Sequence, residues 1–169
     1  MIEAICNNEN WKSHRAVAFI DPFATQVKWN TIEKMASTKA IDLWLLFPAM
    51  AVNRMLTKTG GMPDQWQERL TECFGTDEWQ PVFYQKKRQS TLFEDESSIE
   101  KVANIFEILS QFVNGRLRTI FPSVSNNNLV LKNSKNSPLF LLCFACSNPN
   151  PKAFGLAVKI ANHIIDTSP

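Results

Sequence analysis

The residues best placed to do chemistry are Asp21, Pro22 and Phe23, which close the apolar run Ala16-Val17-Ala18-Phe19-Ile20. If that run is a strand of an open α/β sheet, a carboxylate and an aromatic ring stand at its carboxyl end, where such sheets bind ligands. The same tripeptide also suits a plain strand exit, with aspartate capping the turn and proline fixing φ. Two further sites carry positive charge. Lys86, Lys87 and Arg88 are adjacent in a polar segment and read either as a solvated loop or as a phosphate contact. Lys135, in Asn133-Ser134-Lys135-Asn136, could bind an anion with the turn amides or simply mark a hairpin tip. Asp42 lies inside a second apolar run and needs a partner, for which Arg54 or Lys39 is the structural choice.

Other chemistries are excluded or weak. The chain has five glycines in 169 residues, at positions 60, 61, 75, 115 and 155, against about twelve at average usage. No two form a G-x-G, so the chain carries no Rossmann or P-loop phosphate cradle. Cys143 and Cys146 lie in the apolar run Pro138 to Cys146. Three residues apart on a strand they face opposite sides, so they cannot share one metal ion. With Cys6 and Cys73 they read as reduced, buried thiols, and no metal site is expected. His14 and His163 have no nucleophile in a fixed relationship, so a hydrolase triad is not supported. A net charge of +2 is too small to mark a dedicated nucleic-acid domain. With no long apolar stretch or signal-like start, the chain reads as cytoplasmic, with no membrane partner.

The elements that must position these residues follow from the hydrophobic pattern. Ala16 to Ile20 is continuous and apolar, which predicts a strand buried on both faces. Asn30-Thr31-Ile32-Glu33 predicts a helix start, and Ala40 to Phe47 a second strand stopped by Pro48. Strand, helix, strand over about 30 residues makes a βαβ unit and an α/β class. Helices are expected over Met50 to Lys58 and over Asp64 to Phe74 with Gly75 as stop, and Thr76 to Trp79 is expected to start another short one. Trp44, Trp66 and Trp79 are expected in the core, while Trp29 could line the Asp21 cleft or staple the following helix. Residues 85 to 98 read as an exposed loop. Ser97-Ser98-Ile99-Glu100 reads as a capping box opening the longest helix, to about Ile120. Leu129 to Leu131 and Leu139 to Ala145 predict a β-hairpin, and Lys152 to Asp166 an amphipathic helix. Residues 1–14 form a polar N-terminal segment and 15–169 one unit, without repeats.

Asp21-Pro22-Phe23 resembles a shortened form of the Asp-Pro-Pro-Tyr/Phe motif of amino-methyltransferases, with the second proline missing. The wider series is similar to the three-Cys-motif partner protein family (TcmP). It runs Arg15-Ala-Val-Ala-Phe-Ile-Asp-Pro-Phe23, Val27-Lys-Trp-Asn-Thr-Ile32, Thr38-Lys-Ala-Ile-Asp-Leu-Trp44, Leu46-Phe-Pro48 and Ala51-Val-Asn-Arg54. Phe74-Gly-Thr-Asp77 with Trp79, Leu117-Arg118 with Phe121-Pro122, Leu131-Lys-Asn-Ser-Lys135, Pro138-Leu-Phe140 and Ser147-Asn-Pro149 complete it. The resemblance spans roughly residues 15 to 165. It implies a bacterial, Rossmann-like, class I methyltransferase-like sheet ending in an antiparallel β-hairpin. Asp21 and the Pro22 carbonyl are then the groups that bond a target exocyclic amine, and Phe23 the ring that stacks on an extruded base. Fuller family members begin with a glycine-rich cofactor loop that this sequence lacks. The expectation is therefore a C-terminal part of a methyltransferase-like domain, with no cofactor held by this chain alone and S-adenosylmethionine bound only in a complete member. It is not expected to be active alone; the alternative is a remnant or subunit of an S-adenosylmethionine-dependent amino (nucleic-acid base) methyltransferase. The partners implied are a three-cysteine-motif protein, nucleic acid, a missing N-terminal half, or a second copy.

Overall fold

A computed structural model describes residues 2–8, 10–90 and 95–168; of residues 2, 3, 8, 87–90 and 95–97 it describes the backbone alone. The elements are α1 (Ile2–Asn8), β1 (Ala16–Ile20), α2 (Trp29–Ser37), β2 (Ile41–Phe47), α3 (Ala49–Met55), α4 (Asp64–Phe74) and α5 (Trp79–Phe83). There follow β3 (Tyr84–Ser90), β4 (Asp95–Lys101), α6 (Ile105–Arg118), β5 (Ser123–Val124), β6 (Leu129–Lys132), β7 (Pro138–Cys146) and α7 (Pro151–Thr167).

The fold is mixed α/β. β1 and β2 run parallel, joined through α2, as the βαβ pattern requires. β7 then pairs antiparallel with β2 along Phe47↔Leu141 to Leu43↔Ala145. Its other edge takes β6 and β5, both antiparallel, so that five strands form one sheet with β1 at its end. The long apolar run 138–146 is long enough to serve as this central strand, with neighbours on both edges.

Burial along β2 alternates. Ile41, Leu43, Leu45 and Phe47 are buried and Asp42, Trp44 and Leu46 half-buried. The first set joins the main core with α2 to α6, including Met35, Leu70, Phe74, Phe83, Leu109 and Leu117. The second face is thinner. There Trp44 and Phe144 pack at 4.8 Å between ring centroids, and α7 lays Phe154, Ala157, Val158 and Ala161 against them. Cys143 belongs to the first layer and Cys146 to the second, which places the two thiols on opposite faces of β7.

Several expectations are corrected. β1 is not buried on both faces: Val17 is 68% and Phe19 62% exposed. A continuous apolar run suits cover on both faces, but whether cover is present depends on what packs there. α2 begins at Trp29, not after an Asn30 cap, and no side chain caps it. Residues 85–90 and 95–98 are not a loop but strand, in an antiparallel ribbon of β3 and β4 paired from Tyr84↔Lys101 to Ser90↔Asp95; residues 91–94 lie outside the described residues. Main-chain pairing needs no apolar alternation, and among the described side chains Gln85, Lys86, Ser98 and Ile99 are exposed. Ser97 to Glu100 therefore lies in a strand, and the capping-box pattern has no helix to open. β4 ends where Lys101 N donates to Lys58 O at 2.9 Å and Val102 N to Phe83 O at 3.0 Å. The Lys101 ammonium reaches Asn53 O, Asn53 Oδ1 and Leu56 O at 2.7–3.0 Å, closing the end of α3. α6 starts only at Ile105 and is shorter than α7. Trp66 is 40% exposed, because α4 turns Leu70, Cys73 and Phe74 inward and ends its buried stripe one turn short.

Gly75 is the one glycine whose conformation and size are both required. It ends α4 with φ +67°, and a Cβ there would lie 2.1 Å from Trp29 Cδ1. The Arg116 guanidinium stacks over the Trp29 ring at 5.0 Å and donates from Nε to Phe74 O at 2.9 Å. Trp29 is thus a staple joining α2, α4 and α6, the second of its two sequence readings.

Candidate functional site at the carboxyl end of the parallel strands

The β1 chain leaves the sheet at Ile20 and turns at once through Asp21 to Thr25. Pro22 and Thr25 are buried and anchor the turn, while Asp21 and Phe23 point outward. Ala24 adopts φ +51°, a left-handed conformation that a residue with a Cβ disfavours. The turn is thus held against its local preference, by Pro22 below and by Gln26 N donating to Phe23 O at 3.3 Å. Beneath it, Pro22, Val27 and Trp29 line a narrow crevice with Phe47 and Pro48.

Above the turn lies an open cleft of about 460 Å³. Asp21 and Phe23 form one wall, Pro48, Met50, Ala51 and Arg54 a second, and Leu139 and Phe140 a third. Three elements converge here: the end of β1, the β2–α3 junction and the start of β7. This is the end of the sheet where β1 and β2 present their carboxyl termini, in keeping with the general placement of ligands in open α/β sheets. Phe23 is 80% exposed, the largest exposure among the big apolar side chains described. The Asp21 carboxylate makes no hydrogen bond or ion pair among the described residues. An unengaged carboxylate, a bare ring and a guanidinium around one apolar floor form a surface able to take an amine-bearing flat group with an anionic neighbour.

Of the residues singled out from sequence, Asp21, Pro22 and Phe23 come together as one site. Lys135 sits at the tip of the β6–β7 hairpin, beyond this same end of the sheet, where Asn133 Oδ1 accepts from Lys135 N at 3.0 Å and from Ser137 N at 2.9 Å. Lys86 is elsewhere. It lines a second, larger groove of about 680 Å³ with Gly60, Met62, Trp79 and Tyr84, and shares no wall with Asp21. The side chains of Lys87 and Arg88 lie outside the described residues. Arg54 was read from sequence as a partner for Asp42, and it belongs instead to the Asp21 cleft. Its position seven residues after Phe47 at the exit of β2 was the available signal. Asp42 stands at the opposite end of the sheet, where its Oδ1 accepts from Ser147 N at 2.9 Å and Ser147 Oγ donates to Ile41 O. The partner is therefore main chain, not Arg54 or Lys39.

Cys73, Cys143 and Cys146 are not reactive groups. Burial raises the Cys73 thiol to about 12 and the Cys143 thiol further, and burial with the adjacent Asp42 raises Cys146 to about 11. Among the described residues no three His, Cys, Asp or Glu side chains are placed to hold a metal ion, and no helix is long and apolar enough to cross a membrane. No protein-family model, curated protein or solved structure matches the chain.

Proposed function

We propose that this chain is a TcmP-like, methyltransferase-related protein that carries the target-recognition half of the domain and lacks the cofactor half. The observation that carries the reading is the placement of Asp21-Pro22-Phe23. The tripeptide stands at the carboxyl end of a parallel strand, on the rim of an open cleft, with its carboxylate unengaged and its ring 80% exposed. A second feature supports it: the sheet closes on the β6–β7 hairpin, with β7 antiparallel to the parallel pair. That is the termination expected of a class I methyltransferase-like sheet. None of the five glycines forms a cofactor loop.

In this reading Asp21 accepts hydrogen bonds from the exocyclic amine of a base, and the Pro22 carbonyl is a second acceptor on the same amine. Phe23 stacks on the base face, a contact worth about 1–3 kcal/mol per base. Arg54 lies where a flanking phosphate can pair with it, and Lys135 extends the positive charge beyond the hairpin. S-adenosylmethionine, bound in a complete domain, supplies the electrophilic methyl group; the residues of this chain orient the acceptor.

Two titrations test it. The isolated chain is expected to bind single-stranded oligonucleotides weakly, and Phe23→Ala and Asp21→Ala to weaken that binding about tenfold or more. Binding indifferent to both substitutions overturns the base-site reading. Stoichiometric S-adenosylmethionine binding by the chain alone overturns the claim that it lacks the cofactor half.

A further inference from the structure

The outer edge of β1 is the least defended part of the sheet. Ala16 N donates to Ala40 O, so Ala16, Ala18 and Ile20 turn their main-chain groups toward β2. Val17 and Phe19 therefore present their N–H and C=O groups outward, and among the described residues no strand pairs with them. Natural edges are usually blunted by a charge, a proline or a bulge. The five residues of β1 have none of these. The side chains of Val17 and Phe19, opposite Asp42 and Trp44 in the parallel register, stand largely exposed on the face where α7 packs with Trp44 and Phe144.

The residues around this edge are self-complementary. Arg15 precedes the strand and Asp21 follows it, and both are exposed. In a two-fold antiparallel pairing of β1 with another β1, three registers bring outward main-chain groups together. Centring on Val17 sets Arg15 against Phe19, and centring on Phe19 sets Asp21 against Val17. Centring on Ala18 alone pairs Arg15 with Asp21, and Val17 with Phe19, twice over. Val17 and Phe19 are then hydrogen-bonded pairs exchanging both bonds, and the two Ala18 residues meet at the axis as a close, non-hydrogen-bonded pair. Arg15 is only lightly committed, through one 3.4 Å contact from Nη1 to Lys39 O, and retains donors for a carboxylate.

We propose that β1 pairs antiparallel with β1 of a second copy about a two-fold axis at Ala18, joining two five-stranded sheets into one. The pairing brings Arg15 of the second copy beside Asp21, so that each copy adds a cation to the rim of the other's cleft. The inference uses only the edge and its flanking charges, and it holds whether or not the cleft binds a base.

Sedimentation velocity across a concentration series, with circular dichroism as the check on folding, tests the proposal. The full chain is expected to dimerise. Phe19→Lys, at a solvent-exposed position, is expected to give a folded monomer. Arg15→Asp and Asp21→Arg are each expected to raise the dimer dissociation constant about tenfold or more, and the double exchange to restore it. Ala18→Cys in a Cys6→Ser background is expected to form an intermolecular disulfide under mild oxidation. A folded chain that stays monomeric at every concentration overturns the proposal. So does a dimer untouched by Phe19→Lys and by both charge reversals. Loss of oligonucleotide binding by Phe23→Ala with the dimer intact, or the reverse, separates this inference from the base-site reading.

Discussion

Two aspartates belong to the same parallel strand pair and do opposite things. Asp42, at the amino end of β2, accepts from the Ser147 amide at 2.9 Å and ties the exit of β7 to β2. Asp21, at the carboxyl end of β1, is exposed and makes no such contact among the described residues. Both follow apolar residues, and both would look alike in a strand-by-strand reading. The difference teaches that a carboxylate beside a strand is structural when main chain returns to meet it, and available when the chain turns away. Here β7 brings Ser147 back to one end of the sheet, while the other end opens into the cleft.

If that contrast is sound, substitutions should separate into those that damage the fold and those that damage only the cleft. The largest effect is expected between the two ends, in the layer they share. Leu43, fully buried on β2, should cost about 2–5 kcal/mol when changed to alanine. Urea denaturation measures this; a loss below about 1 kcal/mol would mean the main core is not the packed layer described. Next, Asp42→Ala should cost about 1–3 kcal/mol by leaving the Ser147 amide without its acceptor. Asp42→Asn should recover part of it, since an amide oxygen can still accept. The matching change, Asp21→Ala, should leave stability within about 0.5 kcal/mol while weakening oligonucleotide binding. Equal destabilisation by the two alanines would erase the distinction.

The last test is a titration. Cys73 and Cys146 are raised from the ordinary 9.0 to about 12 and about 11, chiefly by burial. A folded-state value above the unfolded one stabilises the protein below the unfolded value, and this contribution is lost as pH rises through the folded one. Their contribution should therefore be full at pH 8 and decline between about pH 9 and 12. Wild type should lose more thermal stability over that window than a Cys73→Ala variant, relative to each protein's own value at pH 8. At pH 8, a thiol reagent should reach buried Cys73, Cys143 and Cys146 only on unfolding.

Much of the site was legible in one dimension because its parts are adjacent in the chain. Asp21, Pro22 and Phe23 follow an apolar run directly, and strand exits of parallel pairs are where ligands sit. Arg54 was visible as a cation just after the second strand, yet its assignment went to the nearest unexplained carboxylate. Proximity in sequence to Asp42 carried no information about which end of β2 the α3 helix would occupy. The β3–β4 ribbon was missed for another reason. Its pairing is made by main chain, which hydrophobic periodicity does not report. The capping pattern of Ser97 to Glu100 is equally local, and strand pairing with residues 85 to 88 overrode it.

By itself the sequence determined the βαβ opening, the terminal hairpin, the closing helix and the absence of a glycine cradle. Each of these is written in contiguous residues: a run of apolar side chains, an Asn-rich turn, a helical stripe, a count of glycines. Only the tertiary structure decided which carboxylate is engaged, which tryptophan is a staple, and that β1 lies at an open edge. Those outcomes depend on what else packs against a residue, and a strand's apolar faces and edge groups state a need for partners without naming them.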